Sequence, residues 1–202
     1  MGSTKYKIFF KKAAAALLFA VFLEAWFIPS FNEVTGTLLK SSSLDGETGS
    51  YIACILGDSK TGLSEQEEAR LAEVIIGESN AHKIDPLFVL ALIQTESSYY
   101  NWSESIKGAM GLMQILPATG KSLAAELDIK WKGNDTLFNP YLNVRMGVYY
   151  FTSLMGIYDY DVKEALSAYN AGPAPRGGGS RQGFANKVMA NYRDLKERVG
   201  YQ

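Results

Sequence analysis

The pattern of apolar and polar positions divides the chain into three stretches. Residues 1–12 are short and basic, Ala13 to Leu23 form an unbroken apolar run of 11 residues, and after Glu24 the apolar character resumes from Ala25 to Ile28. Eleven residues match the apolar core of an export signal and fall short of a membrane span, and the flanking lysines favour export. Counting through Glu24 lengthens the segment, so a retained membrane attachment through residues 13–28 is the alternative. Residues 1–30 are accordingly expected to be a signal peptide or an N-terminal membrane anchor, with the rest of the chain exported to the cell envelope. Residues 31–62 are rich in Ser, Thr and Gly without a sustained period, including SSSLDGETGS at Ser41 to Ser50, and read as a linker.

From residue 63 to residue 202 the period is helical. Ser64 with Glu67 three residues on forms a capping box, and Leu71, Val74 and Ile75 then mark one apolar stripe. Asp85-Pro86 opens the next helix, the aspartate accepting from free backbone N–H groups and the proline occupying the first turn. Leu87 to Ile93 is apolar on every side, which predicts a central helix buried all round. Asn139-Pro140 repeats the cap-plus-proline start ahead of Leu142, Met146, Tyr149, Tyr150 and Leu154. Asp161 with Glu164 caps a helix over Val162 to Asn170 that Gly172-Pro173 ends; Pro175 to Gly183 reads as a glycine-rich loop. A last amphipathic helix carries Phe184, Val188, Met189, Tyr192, Leu195 and Val199. No stretch alternates like a strand, so the fold class is all-α.

Composition narrows the chemistry. Four of the 20 basic residues but only one of the 21 acidic residues precede residue 31, so the body of the chain is mildly acidic and nucleic acid is a poor partner. Cys54 and His82 are each the only residue of their type, which leaves no internal disulfide and no structural zinc spacing. Cys54 reads as an unmodified small hydrophobe and His82 as an exposed helix-end residue rather than a catalytic base. The carboxylate that stands out is Glu96, led by the apolar helix to the edge of the core, where partial desolvation raises the pKa of a carboxyl and lets it act as an acid near neutral pH. About a dozen residues on, glycines at 108 and 111 permit a tight turn ending in Gln114, whose amide can donate and accept. Their spacing is not that of a phosphate-binding loop, and no metal or organic cofactor is implied.

Three segments taken together resemble a known family. Glu96-Ser97 at the end of ALIQTESSYY, Gly108 to Gln114 with Pro117 and Thr119, and Ala168-Tyr169-Asn170-Ala171-Gly172-Pro173 are similar in order and spacing to the three signature motifs of the soluble lytic transglycosylases. The resemblance covers about residues 65–195. It implies a lysozyme-like helical fold, related to goose-type lysozyme, with a groove containing one catalytic glutamate. The implied substrate is a peptidoglycan glycan strand, cut between N-acetylmuramic acid and N-acetylglucosamine with formation of a 1,6-anhydro end. By the same resemblance Glu96 is the catalytic acid and then base, Ser97 orients Glu96 or the acetamido group, Gln114 lines the groove, Met113 touches an N-acetyl methyl or packs in the core, and Tyr169 and Asn170 come from the opposite wall. Two-carboxylate glycosidases need a second Asp or Glu across the bond. The nearest in sequence, Asp85 and Glu104, lie outside the motifs, which fits a substrate-assisted route. A lysozyme-like hydrolase and a non-catalytic glycan-binding protein are the rival readings. One departure from the family is Phe184, where many members carry a tyrosine.

Overall fold

The computed structural model of the chain describes residues 46–172 and 182–200. The expected export segment, the first part of the expected linker and most of the glycine-rich loop lie outside the described residues. Among the described residues there are seven helices and only isolated bridges in place of strands.

The first helix, α1, covers residues 46–57 and corrects the second half of the expected linker. Its Ile52 and Leu56, four residues apart and therefore on one face, are fully buried in the same core as the later helices. Burying two such side chains stabilises by roughly 1.5–3 kcal/mol each, enough to outweigh the poor helix propensity of the serines and glycines around them. Cys54 falls on the outer face, exposed, with its thiol donating to Asp58 Oδ2 at 3.8 Å.

Helix α2 spans Glu65–His82 behind the predicted capping box, Ser64 N–H donating to Glu67 Oε2 at 2.8 Å and Glu67 N–H to Ser64 Oγ at 3.4 Å. His82 at its end is half-buried rather than exposed, 3.2 Å from Thr152 Oγ1 and edge-on to Tyr149. Helix α3, Pro86–Ser97, starts where Asp85 Oδ1 accepts from Leu87 N–H at 2.9 Å and buries every residue from Leu87 to Ile93. Ser98, left-handed at φ 51°, stops it by returning its N–H to the Gln94 carbonyl.

A compact run of turns leads to α4, Pro117–Glu126, whose N-cap position is Leu116 with no side-chain cap. This helix has no start signal in the sequence beyond its proline. Helix α5, Pro140–Ile157, is capped by Asn139 Oδ1 accepting from Leu142 N–H at 3.1 Å; α6, Val162–Ala171, is capped by Asp161; and α7 is Gln182–Gly200. The most extensive packing is between α3 and α7, followed by α2 on α5 and by α6 against both α5 and α7. The central apolar helix is thus enclosed, and only its C-terminal turn, with Glu96, reaches the edge of the core.

Candidate active site

Glu96 occupies the last turn of α3, half-buried where the continuous apolar stretch ends. Desolvation by the surrounding protein pushes its carboxyl up to about 8, against the smaller, opposing influence of Lys187. Among the described residues no hydrogen bond contributes to its state and no second carboxylate acts on it. A group with this titration is largely neutral at pH 7 and can give up a proton without an external acid.

Facing it is Tyr169 of α6. Its phenol, driven well above the ordinary tyrosine range by burial and then by the charge on Glu96, donates to the Met113 carbonyl at 2.9 Å. Tyr150 and Phe151 of α5 hold the ring, with centroids 5.3 Å and 6.3 Å away. Tyr169 therefore joins two regions at one point: α6 and the glycine-punctuated turn. Asn170, the next residue, is exposed on the last turn of α6 and shares none of these contacts.

The glycine-punctuated turn is held by a residue that the sequence reading passed over. Asn143 of α5 is fully buried, donates from Nδ2 to the Met110 carbonyl at 3.0 Å and the Leu137 carbonyl at 2.8 Å, and accepts from Met113 N–H at 2.8 Å. Its signal was present, because position 143 lies in the buried stripe of α5 with Pro140, Val144, Gly147 and Phe151. A polar residue there must be satisfied by something specific. Gly111 passes so close to Asn143 that a Cβ would come within 2.4 Å of its Nδ2 and 2.3 Å of the Leu137 carbonyl oxygen, and its φ of +77° suits glycine besides.

Three of the expected site residues make bonds or packing contacts within the protein. Gln114, at φ 49°, spends its amide nitrogen on the Ser103 carbonyl at 3.1 Å and the Gly111 carbonyl at 3.0 Å. Both partners are acceptors, so the amide orientation is fixed and Gln114 keeps only its carbonyl oxygen for a ligand. Ser97 is buried and its hydroxyl donates to Ile93 O at 3.1 Å, a bond within its own helix, which leaves only its acceptor capacity for Glu96 or a ligand. The Met113 side chain is fully buried against Gly147, where an added Cβ would meet its sulfur at 2.3 Å. Its thioether belongs to the core, and only its backbone enters the site. Among the described residues no three His, Cys, Asp or Glu side chains gather as a metal site.

Comparisons with known proteins place the chain in a family. The transglycosylase SLT domain model matches residues 73–187, which include Glu96, Gln114 and Tyr169. The transglycosylase of Enterobacteria phage PRD1 is 35% identical over 120 residues, covering 59% of this chain and 42% of that protein. The membrane-bound lytic murein transglycosylase C of Histophilus somni is 32% identical over 126 residues, covering 55% of this chain and 31% of its own. The chain thus spans less than half the length of either relative. The 70 kDa soluble lytic transglycosylase of Escherichia coli superposes with a TM-score of 0.58 at 21% identity, over 67% of this chain and 26% of that one, and shares the all-α, lysozyme-like fold. With the family model spanning more than half of its length, the chain belongs to the transglycosylase SLT domain family.

Proposed function

We propose that the protein is a peptidoglycan lytic transglycosylase that cleaves the β-1,4 bond between N-acetylmuramic acid and N-acetylglucosamine without water. The observation that carries this reading is the Glu96 carboxyl, neutral near pH 7 and influenced by no second carboxylate among the described residues. A retaining glycosidase pair would stand about 5–5.5 Å apart, close enough for each charge to raise the other's pKa. Among the described residues the only charge registering at Glu96 is a cation, Lys187.

The steps follow from one group used twice. Glu96 gives its proton to the glycosidic oxygen as the bond from the muramic acid C1 to that oxygen breaks, and the 2-acetamido carbonyl oxygen closes onto C1. The Glu96 carboxylate then takes the proton of the 6-hydroxyl, whose oxygen attacks C1 and displaces the acetamido oxygen. The products are a 1,6-anhydro end and a free N-acetylglucosamine 4-hydroxyl, and Glu96 is protonated again. Holding the 6-hydroxyl over C1 replaces an activated water by proximity. Tyr169 keeps the turn in place through Met113, Gln114 offers a carbonyl oxygen to a sugar N–H or hydroxyl, and Asn170 offers an exposed amide from the other side. The protein would work in the cell envelope, delivered by residues 1–30 as a cleaved signal or a retained anchor.

The test is mass spectrometry of material released from purified sacculi by the full chain and by Glu96→Gln. Anhydromuramic ends from the wild type and none from the variant are expected. Reducing ends, heavier by one water, would make the protein a hydrolase. No release by either folded protein would leave a glycan-binding module.

A further inference from the structure

Helices α3 and α7 are cross-linked in an order that decides which turn of α7 meets Glu96. At the start of α3, Asp85 Oδ2 accepts from Tyr192 OH at 2.7 Å and from Lys196 Nζ at 3.1 Å. One turn on, the Phe88 ring packs edge-on against Tyr192 with centroids 5.6 Å apart. Near the end of α3, Thr95 Oγ1 accepts from Asn191 Nδ2 at 2.9 Å. As these contacts climb α3 they descend α7, so the helices run antiparallel. Residues four apart share a helix face. The turn of α7 that precedes Asn191 therefore carries Lys187 to the level of Glu96, the neighbour of Thr95.

Lys187 is exposed, and it is the one charge among the described residues that acts on the Glu96 carboxyl, favouring its ionised form against burial. Among the described residues the other surroundings bring no counter-charge. Helix α6 presents the Tyr169 phenol, and the glycine-punctuated turn presents the Met113 carbonyl that this phenol already engages.

We propose that Lys187 is a positioning residue for the reaction, its ammonium governing how readily Glu96 passes from proton donor to proton acceptor. This rests on the reading of Glu96 as the acid. The reaction needs Glu96 neutral when the glycosidic oxygen is protonated and anionic when the 6-hydroxyl is deprotonated. Burial provides the first state, and an exposed cation one helix away brings the second within reach. Because Lys187 is exposed, its influence should be weakened by salt.

The experiment follows the Glu96 carboxyl by carbon NMR across pH, its signal assigned with Glu96→Gln. The same proteins are assayed for initial rate against pH on solubilised glycan strands. The full chain is compared with Lys187→Met and Lys187→Arg. Removing the cation disfavours the carboxylate, so Lys187→Met should titrate Glu96 at higher pH and move the alkaline limb of the rate the same way, while Lys187→Arg stays near the wild type. Added salt should move the wild type toward Lys187→Met and leave that variant in place. An unmoved Glu96 titration in folded Lys187→Met overturns the proposal. A Glu96 titration that moves while the alkaline limb stays fixed supports the action of Lys187 and removes Glu96 from the acid role instead.

Discussion

The two ends of α3 carry carboxylates in opposite circumstances. Asp85, at the N-terminus, accepts from Leu87 N–H, Tyr192 OH and Lys196 Nζ, three donors at 2.9, 2.7 and 3.1 Å. Glu96, at the C-terminus, has no hydrogen-bond partner among the described residues and is pushed up to about 8 by desolvation. One helix thus carries the same functional group first as an anchor and then as a carboxyl that holds its proton. What separates them is the supply of donors, since free N–H groups and the positive end of the dipole are at the N-terminus. The C-terminal end offers a carboxylate only carbonyls, so a carboxyl placed there and desolvated holds its proton.

The sharpest way to break this comparison is to make Glu96 unable to ionise. Its native pKa of about 8 exceeds the unperturbed 4.5, so the folded state holds a proton that the unfolded chain releases. Stability is unaffected below about pH 4.5, falls as pH rises between the two values, and stays reduced above about pH 8, by up to about 1.4 kcal/mol per pH unit in that window. Glu96→Gln should abolish this slope, so that the variant gains on the wild type steadily from pH 4.5 to 8 in urea unfolding. Parallel curves would mean that Glu96 titrates as an ordinary surface carboxyl.

A smaller effect, of opposite sign, is expected at the other end. Asp85→Ala removes a cap and two donors' acceptor, and should destabilise by about 1–3 kcal/mol, read as a lower urea midpoint at pH 7. Smallest is Tyr192→Phe, which deletes one hydrogen bond and leaves the cap and the ring contact with Phe88, for a loss of about 0.5–1.5 kcal/mol. If Tyr192→Phe cost as much as Asp85→Ala, the anchor would reside in the contact between helices and not in the cap.

How much of this was legible depended on whether the signal was local. The starts of α2, α3, α5 and α6 were readable because Ser64, Asp85, Asn139 and Asp161 cap backbone groups within three residues of themselves. The burial of Leu87 to Ile93 was readable for a similar reason, since a helix apolar on all sides has no face to turn to water. Helix α1 was hidden because its apolar run, Tyr51 to Leu56, is too short to show a helical period and follows a Ser- and Gly-rich stretch that reads as linker. The sequence left Met113 between groove and core because what decides it comes from elsewhere in the chain: Gly147 receives the thioether. Lys187 carried no signal, since a lysine on the polar face of an amphipathic helix looks the same whether it faces solvent or an acid.

The bracing of α3 by α7 also bears on when the site comes into being. The bonds concerned join residues 96, 107 and 111 positions apart, and α7 follows the other described helices in chain order. Loops of that length close late, after the local helices have formed. A chain emerging amino end first carries Glu96 long before it carries the helix that braces α3 through Asp85 and Thr95. Until then this carboxyl lacks that cover and has no cause from α7 to hold its proton. The setting that raises the Glu96 pKa is therefore a late product of folding, complete only once α7 has packed along α3.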